Sequence, residues 1–184
     1  MKEKNRRVCP VENAGSLDNI FRKWIHNPKK LLKNYVKEGM IALDVGCGPG
    51  LFSIEMAKMV GKTGKVVAVD LQEGMLKKIK NKIAGKEIRN RIELHQCKKN
   101  KIEISEKVDF VLAFYMVHEV PNQMNFFKEI NSALKINGKV FIIEPKFHVS
   151  KKAFEDTINV AKEAGLKISK KEKVFFSRAI ILEH

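Results

Sequence analysis

The amino-acid sequence predicts a doubly wound α/β domain, a mostly parallel sheet with helices on both faces. Three observations lead there. Five short apolar runs rich in β-branched and aromatic residues recur along the chain, four helical patterns alternate with them, and the first run ends in a turn with glycine at alternate positions, "GCGPG". Strand–helix alternation implies parallel pairing, and a parallel sheet must be covered on both faces.

The predicted strands are "MIALDVG" (40–46), "KVVAVD" (65–70), "RIELHQ" (91–96), "VDFVLAF" (108–114) and "KVFIIEP" (139–145). They are short, mostly apolar, β-branched or aromatic runs, the signature of buried strands. The helical patterns span residues 51–60, 73–84, 123–134 and 152–164. The last segment, "KVFFSRAIILEH", has two apolar runs about a polar interruption at Ser177–Arg178 and no helix between them. It reads as a hairpin, so the final strand should run antiparallel. Ahead of the first strand, Leu17, Ile20, Phe21 and Trp24 form one helical stripe, and Asn27-Pro28 opens a second helix, since proline suits a first helical position. Residues 1–38 are therefore expected to be a helical cap and residues 39–184 the sheet, within one domain.

A chain of 184 residues with 44% hydrophobic content is sized for one core. Its first residues are charged, and no apolar run approaches the ~18 residues of a membrane span, so the expectation is a cytoplasmic protein with no membrane partner. The three cysteines, Cys9, Cys47 and Cys97, form no CxxC pair. Free thiols are expected, with neither a disulfide frame nor a zinc site. The formal net charge of +15 raises nucleic acid as a partner, but the lysines are spread in pairs along the whole chain. Such dispersion is what solvated helix ends and loops carry, and it predicts weak, non-specific nucleic-acid binding at most.

The glycine turn carries the chemistry. In an open parallel sheet, ligands bind beyond the carboxyl ends of the strands, and "DVGCGPGLFS" is the first such turn. Gly46, Gly48 and Gly50 let a ligand approach the main chain, and the helix that follows offers amides to a carboxylate. Asp70 ends the second strand, where its carboxylate can accept both hydroxyls of a ribose. Asp44 stands just ahead of the loop, whose Gly-x-Gly-x-Gly spacing differs from the dinucleotide fingerprint. An anion there would oppose a pyrophosphate; an amine suits it better.

Through "LDVGCGPG", "VVAVDLQEGML", "VDFVLAFYMVHEV" and "LKINGKVFIIEPK", the chain resembles the class I S-adenosylmethionine-dependent methyltransferases, and the resemblance covers roughly residues 40–183. It implies a Rossmann-like sheet of seven strands with the last antiparallel, and S-adenosyl-L-methionine as cofactor. It further implies that Asp44 lies by the methionine amino group, that Gly46, Cys47, Gly48 and Gly50 form the loop under the cofactor, that Asp70 holds the ribose, and that Leu71 packs on adenine. Ala113 would offer backbone to the methionine moiety. Many relatives place an acidic residue after the third strand, where this chain has "HQCKKNKIEI" (95–104), so main chain near Cys97 is left to meet the adenine.

Methyl transfer is an in-line displacement that needs alignment and exclusion of water more than it needs a base. If residues 115–119 form a helical turn, Tyr115, His118 and Glu119 share one face by their spacing. His118 is then the candidate to position or deprotonate an acceptor, as an imidazole titrates near neutrality. Glu144, Lys146, His148, Phe175, Phe176 and Arg178 follow on the same edge of the sheet, and Arg22, Trp24 and His26 of the cap are placed to close over the cofactor. Within the resemblance, the quinone- and sterol-type members are the nearest look-alikes, which implies a small-molecule acceptor. An RNA-modifying methyltransferase is the alternative the charge favours, against which "AFYM" stands where base-amine methylating enzymes carry an Asn/Asp-Pro-Pro-aromatic run. A non-catalytic regulator that binds the cofactor as a signal is the other.

Overall fold

A computed structural model of the chain describes residues 27–184. Asn27 caps the first described helix by accepting the Lys30 amide at 3.1 Å, with Pro28 at its first position, as the Asn-Pro pair predicts. The expected stripe from Leu17 to Trp24, with Arg22 and His26, lies outside the described residues.

The sheet has seven strands: β1 (Ile41–Val45), β2 (Lys65–Asp70), β3 (Ile92–Gln96), β4 (Val108–Phe114), β5 (Leu134–Pro145), β6 (Lys167–Glu172) and β7 (Ser177–Glu183), in the spatial order β3-β2-β1-β4-β5-β7-β6. β1 to β5 pair in parallel, whereas β7 runs antiparallel to both β5 and β6. Among the described residues the α-helices are α1 (Pro28–Leu32), α2 (Leu51–Met59), α3 (Glu73–Ile83), α4 (Gln123–Ala133) and α5 (Lys151–Glu163). Chain direction across the sheet reverses between β1 and β4, and that reversal opens a crevice at their carboxyl ends.

Strand alternation divides the core in two. Leu43, Val45, Val67, Val69, Val111, Val140 and Ile142 face Phe126, Phe127 and Ile130 of α4 and Phe154 and Ala161 of α5. Their alternate neighbours Ala42, Val66, Ala68, Phe110, Leu112, Phe141 and Ile143 face Leu32 of α1, Phe52 and Met56 of α2, and Leu76 and Ile79 of α3. Both layers are therefore built from adjacent residues of the same strands, which explains why these strands read as unbroken apolar runs.

The C-terminal hairpin exists, but its arms differ from the expected ones. Its first arm is β6, "KISKKE", and Val174–Phe176 belong to the turn, while Ser177–Arg178 open β7 instead of interrupting a hairpin. β6 is exposed along almost its whole length, so no apolar pattern marks it. Lysines on an outermost strand also discourage pairing with another chain.

Candidate functional site

The crevice between β1 and β4 is a cavity of about 200 Å³. Its walls include Asp44, Gly46, Cys47 and Gly48 after β1, Asp70, Leu71 and Gln72 after β2, Cys97 to Ile102 after β3, and Phe114, Tyr115, Met116, Glu119 and Val120 after β4. Ala113 is fully buried inside β4, and the residues following it form the wall.

The loop crosses from β1 toward β2 as the Cys47 amide donates to the Val69 carbonyl at 3.0 Å. Gly50 then opens α2 with φ +87, and a β-carbon there would lie 2.7 Å from Ile79. No other residue meets both demands. Gly48 differs: a β-carbon on it would meet nothing within 4 Å, so its bare backbone faces open space. That space is a cradle of the kind a bound molecule fills.

Asp70 is organised from two sides. Oδ2 accepts the Gly48 amide at 2.9 Å and Oδ1 accepts the Gln72 amide at 2.8 Å. Each oxygen retains acceptor capacity for a hydroxyl. Asp44 is 2% exposed, and its Oδ2 accepts the Ser53 hydroxyl at 2.5 Å. Burial, with Asp70 nearby, pushes its carboxyl up to about 7, and burial also raises Asp70. Neither carboxylate has an ion pair among the described residues. Two buried acids at a cavity wall fit a cationic ligand with ribose hydroxyls, which is the chemistry of S-adenosylmethionine. Burial raises the thiols of Cys47 and Cys97 as well, Cys97 to about 11, so both are inert walls.

After β3, Lys98 and Lys101 exchange main-chain hydrogen bonds at 3.0 and 3.2 Å, closing a tight turn. Its support comes from α4. Glu129 Oε2 accepts the Ile102 amide at 2.8 Å and the Glu103 amide at 3.1 Å, and Asn125 Nδ2 donates to the Asn100 carbonyl at 2.8 Å. Glu129 also lines the cavity. Thus a carboxylate stands by the "HQCKKNKIEI" segment after all, delivered from another element. Nothing in the local pattern "FFKEI" distinguishes it from a solvated helix position.

Beyond β4, Tyr115, His118 and Glu119 do not share a face. Tyr115 takes a left-handed backbone conformation, φ 58, and the short helical turn spans only Val117–Glu119. The Tyr115 ring stacks on Phe114, and its hydroxyl lies 2.6 Å from Ser177 Oγ. His118 turns to Glu144, whose Oε1 accepts the His118 amide at 3.1 Å and whose Oε2 lies 2.6 Å from Nδ1. Glu144 is 1% exposed. Its carboxylate can only accept, so it fixes Nδ1 as the protonated nitrogen. Nε2 lies 4.0 Å from Glu119, and Glu119 lines the cavity. The imidazole thus neighbours a residue of the cavity wall without lining the cavity itself.

The remaining candidates lie apart from the cavity. Lys146 and His148 are exposed, with the His148 ring 6.0 Å from that of His118. Phe175 and Phe176 are exposed in the β6–β7 turn, and Arg178 Nε donates to the Val149 carbonyl at 3.0 Å. The apolar wall of Phe52, Met116, Val120 and Phe126 was not anticipated from sequence, because core and cavity aromatics share one pattern.

A family model described as "Methyltransferase domain" matches residues 36–176. The chain belongs to the methyltransferase-domain family. Its seven-stranded fold is that of the class I S-adenosylmethionine-dependent methyltransferases, and S-adenosylmethionine is the cofactor of this domain. A structure of a SAM-dependent methyltransferase from Aquifex aeolicus superposes with a TM-score of 0.83 at 27% identity, covering 95% of this chain and 98% of that one. Among sequence relatives, the demethylmenaquinone methyltransferase of Lactobacillus johnsonii is 36% identical over 142 residues, covering 75% of this chain and 57% of the relative. That of Staphylococcus aureus is 34% identical over 118 residues, covering 63% and 48%. The methyltransferase domain spans about half the length of these relatives. Among its described residues, no helix is long and apolar enough to cross a membrane, and no cluster of residues could hold a metal ion.

Proposed function

We propose that this domain methylates a compact, hydroxylated ring of the quinol type, using Asp70 and Asp44 to hold the cofactor and His118 to take a proton from the acceptor. The carrying observation is half-buried His118, held by buried Glu144 and 4.0 Å from cavity-lining Glu119, next to a cavity walled by Phe52, Phe114, Tyr115, Met116, Val120 and Phe126. An apolar, aromatic wall suits a ring that sheds its water on entry. The demethylmenaquinone methyltransferase relatives support the same acceptor class.

The cofactor supplies a sulfonium-bound methyl group for in-line displacement. The chain's part is to hold and to exclude. Asp70 accepts the ribose hydroxyls with oxygens already oriented by the Gly48 and Gln72 amides, so little reorganisation is needed on binding. Asp44 faces the amine. Leu71 would cover the adenine, and the turn from Cys97 to Lys101 lines that part of the cavity. At the other end His118 Nε2 accepts the acceptor's hydroxyl proton, and the adjacent Glu144 carboxylate stabilises the resulting imidazolium. Deprotonation enriches the ring in electrons, so that a ring carbon would take the methyl group as the sulfonium C–S bond breaks with its electron pair to sulfur, and loss of the proton on that ring carbon to solvent would restore the aromatic ring.

The test is a methyl-transfer assay with radiolabelled cofactor and a panel of short-chain quinols, phenols and transfer RNA. Turnover with a quinol or phenol is the expected result. Turnover confined to RNA assigns the domain to nucleic-acid modification, and cofactor binding without any transfer assigns it to a regulator.

A further inference from the structure

Three phenyl rings stand in solvent at the same end of the sheet as the cavity: Phe147 is 71% exposed, Phe175 63% and Phe176 61%. They come from two loops. Phe147 follows β5, Phe175 and Phe176 precede β7, and the Lys146 amide joins the loops by donating to the Phe176 carbonyl at 3.1 Å. Phe176 holds a left-handed backbone, φ 50, which a bulky residue rarely adopts, and its ring packs edge-on to Phe175 at 4.3 Å. Such strain persists only where the surroundings impose it.

The charges around the rings have one sign. Lys146 and Lys173 are exposed beside them. The nearby acids are engaged elsewhere: Glu144 is buried against His118, and Glu172 pairs with Lys170 and bonds the Tyr35 hydroxyl. A rim of exposed phenyl rings and uncompensated lysines has the composition of a surface that lies on lipid, with rings at the acyl boundary and ammonium groups at anionic headgroups. The formal net charge of +15 draws the whole chain toward such a surface.

We propose that the loops after β5 and before β7 form a peripheral docking surface for an anionic lipid bilayer. The surface is coupled to the cavity: Phe175 carbonyl accepts from Ser177 Oγ at 3.0 Å, and Ser177 Oγ lies 2.6 Å from the hydroxyl of cavity-lining Tyr115. Docking therefore sets the acceptor end of the site against the lipid. That delivery role rests on the apolar acceptor proposed above, whereas the binding itself does not.

The test is co-sedimentation of the full chain with vesicles of phosphatidylcholine, alone or with part of it replaced by phosphatidylglycerol. Wild-type protein is expected to sediment with the anionic vesicles. Phe147→Ser, Phe175→Ser and Phe176→Asn combined should weaken partitioning by about tenfold or more, with melting temperature and cofactor affinity retained, since asparagine tolerates the left-handed region. Lys146→Glu with Lys173→Glu should cost about tenfold or more on anionic vesicles only. Absence of wild-type binding overturns the proposal, as does equal binding by the aromatic variant, which would mean that dispersed lysines suffice. A lipid-free dimer in sedimentation velocity that the aromatic variant abolishes gives the patch to a second copy and also overturns it. Vesicle binding without methyl transfer to any quinol leaves docking standing and removes the acceptor reading alone.

Discussion

The carboxylate of Glu144 lies 2.6 Å from Nδ1 of His118 and also accepts its backbone amide, so one buried side chain sets both the position and the tautomer of the imidazole. His118→Gln should lower kcat by about 10²–10⁴ if Nε2 is the base, with cofactor affinity unchanged. Glu144→Gln keeps the shape and loses the charge. It should lower kcat with cofactor affinity unchanged, and wild-type turnover in the folded variant would reduce Glu144 to packing.

Asp70 receives two amides and has no cation beside it among the described residues. Asp70→Ala should weaken S-adenosylmethionine about 10- to 100-fold, because charge-assisted hydrogen bonds contribute about 1.5–3 kcal/mol. Calorimetric titration of the folded variant checks it.

Asp44 links pH to both stability and binding. Its carboxyl sits at about 7 in the folded, cofactor-free domain against an ordinary 3.8, so the folded state keeps a proton that the unfolded chain has released. The associated stability is complete below the ordinary value and is lost as pH rises through the folded one. A cationic amine beside Asp44 favours the carboxylate, so cofactor binding should release a proton below about pH 7 and tighten with rising pH, by at most about tenfold per unit. Binding enthalpies measured in buffers of different ionisation enthalpy check this; values independent of buffer would sink it.

Gly50 and Gly48 separate folding from binding. Gly50→Ala forces a left-handed alanine against Ile79, and the combined cost is about 2–5 kcal/mol in urea unfolding. Gly48→Ala meets open space, so it should cost only the backbone strain of about 1–2 kcal/mol while obstructing the cofactor. Equal losses of stability in the two variants would contradict the assignment of the space over Gly48.

Nucleic acid should bind weakly. Many lysines already face acids on their own helices, as in Lys77–Glu73, Lys151–Glu155 and Lys152–Asp156. Electrophoretic mobility of transfer RNA should show binding that collapses between about 50 and 200 mM salt.

The cofactor half of the site was legible because its residues are contiguous: Asp44 to Gly50 occupy one turn, and Asp70 and Leu71 the next. The acceptor half was not. His118 and Glu144 are 26 residues apart, and Tyr115 and Ser177 are 62 apart, so only strand order brings them together. The expected shared face of Tyr115, His118 and Glu119 gave way because Tyr115 leaves β4 in a left-handed conformation before the helical turn begins.

By itself, the sequence determined the α/β class, the first five strands and the glycine loop, because the strands buried on both faces, β1, β2, β4 and β5, must be largely apolar and a backbone-hugging turn must be glycine-rich. Only the tertiary structure decided that "KISKKE" is a strand and that Phe175 and Phe176 stand in solvent. It also decided that Glu129 and Glu144 reach the site from other elements. An edge strand needs no apolar signature, and a side chain's partner across the sheet depends on register, which the order β3-β2-β1-β4-β5-β7-β6 sets and no local pattern encodes.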